Sequence, residues 1–133
     1  MTRDLVGYGQ SPPAANWPNG ARTAVQFVVN YEEGAENSVL NGDAGSEAFL
    51  SEMVGAGSQL GARAMAMESL YEYGARAGFW RLYRLFTSRN IPITVFGVAK
   101  AMAMNPEAVE AMLNADWEVA SHGYRWFDYQ YVG

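Results

Sequence analysis

Val28-Val29-Asn30-Tyr31-Glu32-Glu33-Gly34 runs from an apolar segment straight into two adjacent carboxylates and a glycine. The residues upstream, Thr23-Ala24-Val25-Gln26-Phe27, keep the same apolar and β-branched character, so residues 23–29 read as a strand buried on both faces of a parallel sheet. A parallel strand ending this way sets its acids at the C-terminal edge, where α/β enzymes hold their chemistry. Side chains alternate along a strand, so one of Glu32 and Glu33 is expected to face the cleft and the other to point away.

A second run of the same kind, Trp117-Glu118-Val119-Ala120-Ser121, delivers His122-Gly123. His122 is the only histidine, and the chain has no cysteine. If both strands lie parallel in one sheet, a Glu pair and a His at their ends form an acid/base constellation. Taken alone, acids at a strand end are most often a solvated loop start, and a single His is most often structural. Trp126 reads as a packing or pocket-wall aromatic.

Between the two runs the pattern alternates. Residues 68–89 carry Ala75, Phe79, Leu82 and Phe86 at helical spacing, and Asn90-Ile91-Pro92 stops the helix. Ile93-Thr94-Val95-Phe96-Gly97-Val98 is a strand, and Asn105-Pro106-Glu107 opens a helix expected to reach about Asn114. The long insert 36–58 has a weak helical pattern over 47–54, and a segment of that length in a compact domain suits one that covers a site. Residues 11–20 read as an irregular arm ending in a turn. The fold class is α/β, with parallel strands joined by right-handed crossover helices. The methionines read as gap-filling core.

At 133 residues the chain is one domain at most, able to bury about two thirds of its unfolded surface. Half of its residues are hydrophobic and 14% aromatic, which marks a globular chain. A net charge of −5 with nine scattered basic residues argues against nucleic acid as a partner. Small neutral molecules or other protein chains fit better. No leader segment or membrane span is read from the sequence, and a cytoplasmic location is the default.

The motifs carry a resemblance. Asn30-Tyr31-Glu32-Glu33-Gly34 is similar to the Thr-Phe-Asp-Asp-Gly motif of the polysaccharide deacetylase (NodB-homology) family, and Ser121-His122-Gly123-Tyr124-Arg125-Trp126 to its His-(Ser/Thr)-x-x-His motif. With Asp4-Leu5-Val6-Gly7-Tyr8-Gly9, Ala35-Glu36-Asn37-Ser38 and Glu68-Ser69-Leu70-Tyr71-Glu72-Tyr73-Gly74, the chain most resembles the metal-independent allantoinase branch of that family. The resemblance implies the first part of a distorted (β/α) barrel, a domain of roughly twice this length. Residues 1–133 are then expected to be the N-terminal part of a single catalytic domain, whose open edge and uncovered apolar face would favour self-association.

In the deacetylases, as the resemblance implies, the first Asp is a general base while the second Asp and two histidines hold a divalent metal. Here those positions read Glu32, Glu33, His122 and Trp126. An indole offers an N–H and no lone pair, so neither a metal nor another cofactor is expected. The implied activity is hydrolysis of a non-peptide carbon–nitrogen bond, opening the hydantoin ring of allantoin, with Glu32, Glu33 and His122 as catalytic candidates. Asn30, Tyr31 and Trp126 are expected to contact the small-molecule substrate, and the full-length form to be a homo-oligomer. A sugar N-deacetylase and a non-catalytic fragment of such a domain are the alternatives.

Overall fold

The computed structural model describes residues 2–132. Three short parallel strands, β1 (Val28–Tyr31), β2 (Thr94–Gly97) and β3 (Glu118–Ser121), form one sheet in chain order. The crossover from β1 to β2 carries helices α1 (Met65–Tyr73) and α2 (Phe79–Thr87), and that from β2 to β3 carries α3 (Ala99–Met104) and α4 (Pro106–Asn114). The α/β reading holds, with each of the three sequence strands found at its place. Among the described residues no helix is long and apolar enough to cross a membrane.

The first strand differs from its sequence reading in two ways. It begins at Val28, so residues 23–27 precede the ladder, although Phe27 O still accepts the N–H of Thr94 at 3.1 Å. It is also buried on one face only: Val29 and Tyr31 are buried while Val28 and Asn30 are exposed. The covered face packs on the helices. Val29, Tyr31 and Val95 join Phe79 of α2, Ala101 of α3, Ala108 and Met112 of α4, and Trp117 in one core. Phe79 is its hub, with its ring edge-on to Tyr31 at 5.4 Å and to Trp80 at 5.0 Å.

Two further elements depart from expectation. Residues 47–54 form no helix; the Glu47 carboxylate instead accepts the N–H groups of Ala48 (2.8 Å), Phe49 (2.9 Å) and Leu50 (3.4 Å), an Asx-like wrap that replaces helical bonding with local side-chain bonding. The helix read over 68–89 runs from Met65 to Thr87 and is interrupted by a π turn at Gly74–Gly78. Its end is as the sequence implies, with Asn90 at a left-handed φ of 51°.

The start of α4 also follows the sequence. Asn105 Oδ1 accepts the N–H of Ala108 at 3.2 Å, and its Nδ2 donates to the buried Tyr31 hydroxyl at 2.8 Å. One side chain thus caps a helix and satisfies a core phenol. Asn105→Ala removes both bonds and is expected to cost about 2 kcal/mol, seen as a lower urea midpoint at unchanged m-value.

Candidate active site

The ladder sets Tyr31 opposite Gly97 and Gly97 opposite Ser121. The next residues of the outer strands, Glu32 and His122, therefore leave the sheet at one level. Alternation gives Glu32 the face of Asn30, away from the helices, and gives His122 the face of Ala120, which is the same side. There His122 Nε2 donates to Glu32 Oε1 at 2.8 Å, across Phe96 of the middle strand, whose ring lies 6.0 Å from the imidazole. Asn30 Nδ2 donates to the same oxygen at 3.2 Å. The Glu32 side chain is 13% exposed and that of His122 41%. Burial pushes the Glu32 carboxyl above its ordinary value; the charge and hydrogen bond of His122 pull it back, nearby Glu33 raises it again, and the Asn30 bond lowers it.

Glu33 turns elsewhere. Its Oε2 accepts the N–H of Glu32 at 3.3 Å. It borders a depression of about 460 Å³ together with Glu32, Leu50, Tyr71 and Trp126, a size that suits a small ligand. Part of the insert, residues 49–52, forms the outer wall, as expected of a segment that covers a site. Its place is fixed by the Glu47 wrap and by Tyr71, whose hydroxyl donates to Leu50 O at 2.6 Å. On the opposite side Glu33 borders a second cavity of about 310 Å³ with Tyr31, Glu36 and Glu68. Glu36 is buried there, and that burial pushes its carboxyl up despite the N–H of Gly34, donated at 2.6 Å.

The structure thus brings Asn30, Glu32 and His122 together, with Glu33 and Trp126 beside them on the depression. Tyr31 is not with them: it faces the helices, 2% exposed, and its hydroxyl is taken by Asn105. Its expected substrate contact has no support on the Glu32 side of the sheet, because the strand pleat turns it to the other face.

Arg125 escaped the sequence reading. Its Nε donates to Ala35 O at 3.0 Å, and its Nη2 donates to Glu36 O at 3.0 Å and to Asp43 Oδ2 at 2.6 Å. The neighbouring Trp126 N–H donates to Ala35 O at 3.0 Å. These bonds tie the loop after β3 to the loop after β1, and so fix the two chain exits that carry His122 and Glu32. Asp43 titrates low as a result: burial raises its carboxyl, but the Arg125 and Ser38 hydrogen bonds outweigh it. The only sequence signal was a guanidinium three residues after the histidine.

The donor set does not fit the deacetylase metal. Trp126 stands where a second histidine would be, presents no lone pair, and packs its ring edge-on to Tyr71 at 5.4 Å. The Nε2 of His122 is committed to Glu32. Among the described residues no three His, Cys, Asp or Glu side chains gather to hold a metal ion.

Comparison with known proteins agrees with the motifs. The polysaccharide deacetylase family profile matches residues 63–132. A Schizosaccharomyces pombe protein assigned as a polysaccharide deacetylase is 45% identical over 136 residues, covering 98% of this chain and 42% of its own length. A crystal structure from Pseudomonas aeruginosa PAO1, assigned as a polysaccharide deacetylase, superposes with a TM-score of 0.93 at 59% identity. The crystal structure of PuuE allantoinase does so with a TM-score of 0.93 at 56% identity. Both cover 100% of this chain and 44% of their own, so the chain spans less than half the length of each of these relatives.

The Arg125 clamp makes a clear test. Arg125→Ala removes three hydrogen bonds and the charge partner of Asp43, while Ala35 O keeps the Trp126 N–H, Glu36 O the Asn41 amide and Asp43 the Ser38 N–H, and is expected to cost about 2 kcal/mol in denaturant unfolding. Arg125→Lys should recover less than half of that, because an ammonium cannot span three acceptors with a planar fork.

Proposed function

Because the chain belongs to the polysaccharide deacetylase family, we propose that it forms part of a carbon–nitrogen hydrolase of allantoinase type, acting on a cyclic amide without the metal chemistry of the deacetylases. The observation that carries this reading is the 2.8 Å pair of Glu32 and His122 at the strand exits. The likeness to PuuE allantoinase and the indole at position 126 support it.

Glu32 is the base. Its carboxylate takes a proton from water as the oxygen attacks the ring carbonyl. Proton uptake neutralises the carboxyl, which weakens the charge-assisted bond to His122. The imidazole N–H is thereby released toward the anionic oxygen, or gives its proton to the departing nitrogen and takes in exchange the one Glu32 has accepted. Asn30 holds the carboxylate at the right rotamer, while Trp126 and Tyr71 wall the depression in which a flat ring would lie. The sugar N-deacetylase reading draws on the polysaccharide deacetylase names of the Schizosaccharomyces pombe and Pseudomonas aeruginosa relatives, and it separates from the first by substrate and by metal.

A full-length form that carries these residues, assayed on allantoin and on an N-acetylated sugar, should turn over allantoin alone, and exhaustive chelation should leave the rate within about twofold, whereas residues 1–133 by themselves should show no turnover. Loss of activity on chelation, restored by a divalent ion, would return the site to the deacetylases. Glu32→Gln should lower kcat by about 10²–10⁴-fold with the fold retained; a rate within threefold of the parent would remove Glu32 as the base.

The pH dependence follows from the same carboxylate. A base must be ionised, and burial raises Glu32 above 4.5, so kcat/KM should climb with pH through an inflection above that value. Glu33→Gln removes a like charge and should move the inflection to lower pH.

A further inference from the structure

Gly74 opens the π turn, and the turn lies against the exit of β1. A Cβ placed on Gly74 would fall 2.4 Å from Glu33 Oε1 and 3.1 Å from its Cδ, closer than atoms approach without something moving. The Gly74 backbone is ordinary right-handed helix, φ −54° and ψ −55°. Nothing in its conformation calls for glycine, and glycine is unfavourable in a helix interior. What calls for it is the Glu33 carboxylate, which occupies the space a side chain would take. The π turn supplies the rest, since its wider winding presents Gly74 to the strand exit while Phe79, just beyond, still packs on Tyr31.

Seated in that notch, Glu33 turns its other oxygen back to accept the N–H of Glu32. That bond fixes the backbone at the residue whose side chain reaches His122. The geometry points to Gly74 and its π turn as a positioning device, which seats Glu33 so that the chain leaves β1 with Glu32 aimed at His122. Gly74 touches no reacting group and acts only through Glu33. The catalytic consequence rests on Glu32 being the base, whereas the notch itself is a matter of geometry.

The single histidine makes the device visible by NMR without any turnover. Gly74→Ala should fold and melt at or above the parent temperature, because alanine suits the helix and the atom it meets is the far end of a flexible side chain. It should nevertheless shift the His122 imidazole signals and the Glu32 amide signal, with Glu32 amide exchange about fivefold faster as its bond is lost. Glu33→Ala, which adds no atom to the helix, should shift the same two sets of signals. In the Glu33→Ala background, Gly74→Ala should add nothing.

Parent-like His122 and Glu32 signals in Gly74→Ala would overturn the proposal, as would an equal shift from Gly74→Ala with Glu33 already removed. Were Gly74→Ala not to fold, unmoved signals in Glu33→Ala would overturn it on their own. A coupled shift in a protein whose Glu32→Gln variant keeps its activity would leave the notch standing and remove only the assignment of the base.

Discussion

The parallel register is the constraint on which the site depends. Glu32 and His122 stand on strands separated by β2, about 9.6 Å apart at two strand spacings. Their side chains close that gap to 2.8 Å only because Tyr31, Gly97 and Ser121 lie in line. A slip of two residues in either ladder would carry one partner about 6.6 Å along the strand, beyond hydrogen-bond reach. A slip of one would turn it to the helix-covered face. That face opposes the one-residue slip, since such a slip would turn Val29 and Tyr31, or Val95, out of the core around Phe79.

Level strand ends would not suffice if the exits were free to splay. Backbone bonds cross between them, from Val98 N–H to Tyr31 O and from His122 N–H to Gly97 O, and continue past the sheet from Ala99 and Lys100 to the carbonyls of Gly123 and Tyr124. Arg125 then reaches over to Ala35, Glu36 and Asp43. A fixed fork of donors suits this task, for it orders three acceptors at the cost of one side chain's freedom. The carboxylates near β1 divide their work accordingly. Glu47 is spent on wrapping the insert and Asp43 on the arginine, and Glu32 is left with the imidazole.

Trp126, at the position where the resembled motif has its second histidine, shapes the site in two ways at once. It offers no lone pair, and it sets a large flat wall against Tyr71 over the depression that Glu32 and Glu33 border. The Glu32 carboxylate, at the edge of that depression, reaches the His122 imidazole across a strand. Strand exits hold side chains at defined spacing whatever those side chains are.

Local sequence determined the elements and their ends. Apolar β-branched runs made the strands, Asn105-Pro106 opened α4 and Asn90 closed α2, since these depend on near-neighbour propensities and caps. The motifs also placed Glu32 and His122 at strand exits. Tertiary structure alone decided the rest. It turned Tyr31 to the core, unwound the helical pattern of residues 47–54 around the Glu47 carboxylate, widened a helix at Gly74 to seat Glu33, and put Arg125 across two loops. Tyr31, Gly74 and Arg125 are settled by a partner distant in sequence or by the pleat of a strand whose second face lies open, and Glu47 by a local carboxylate wrap; a periodicity read along one chain carries none of these.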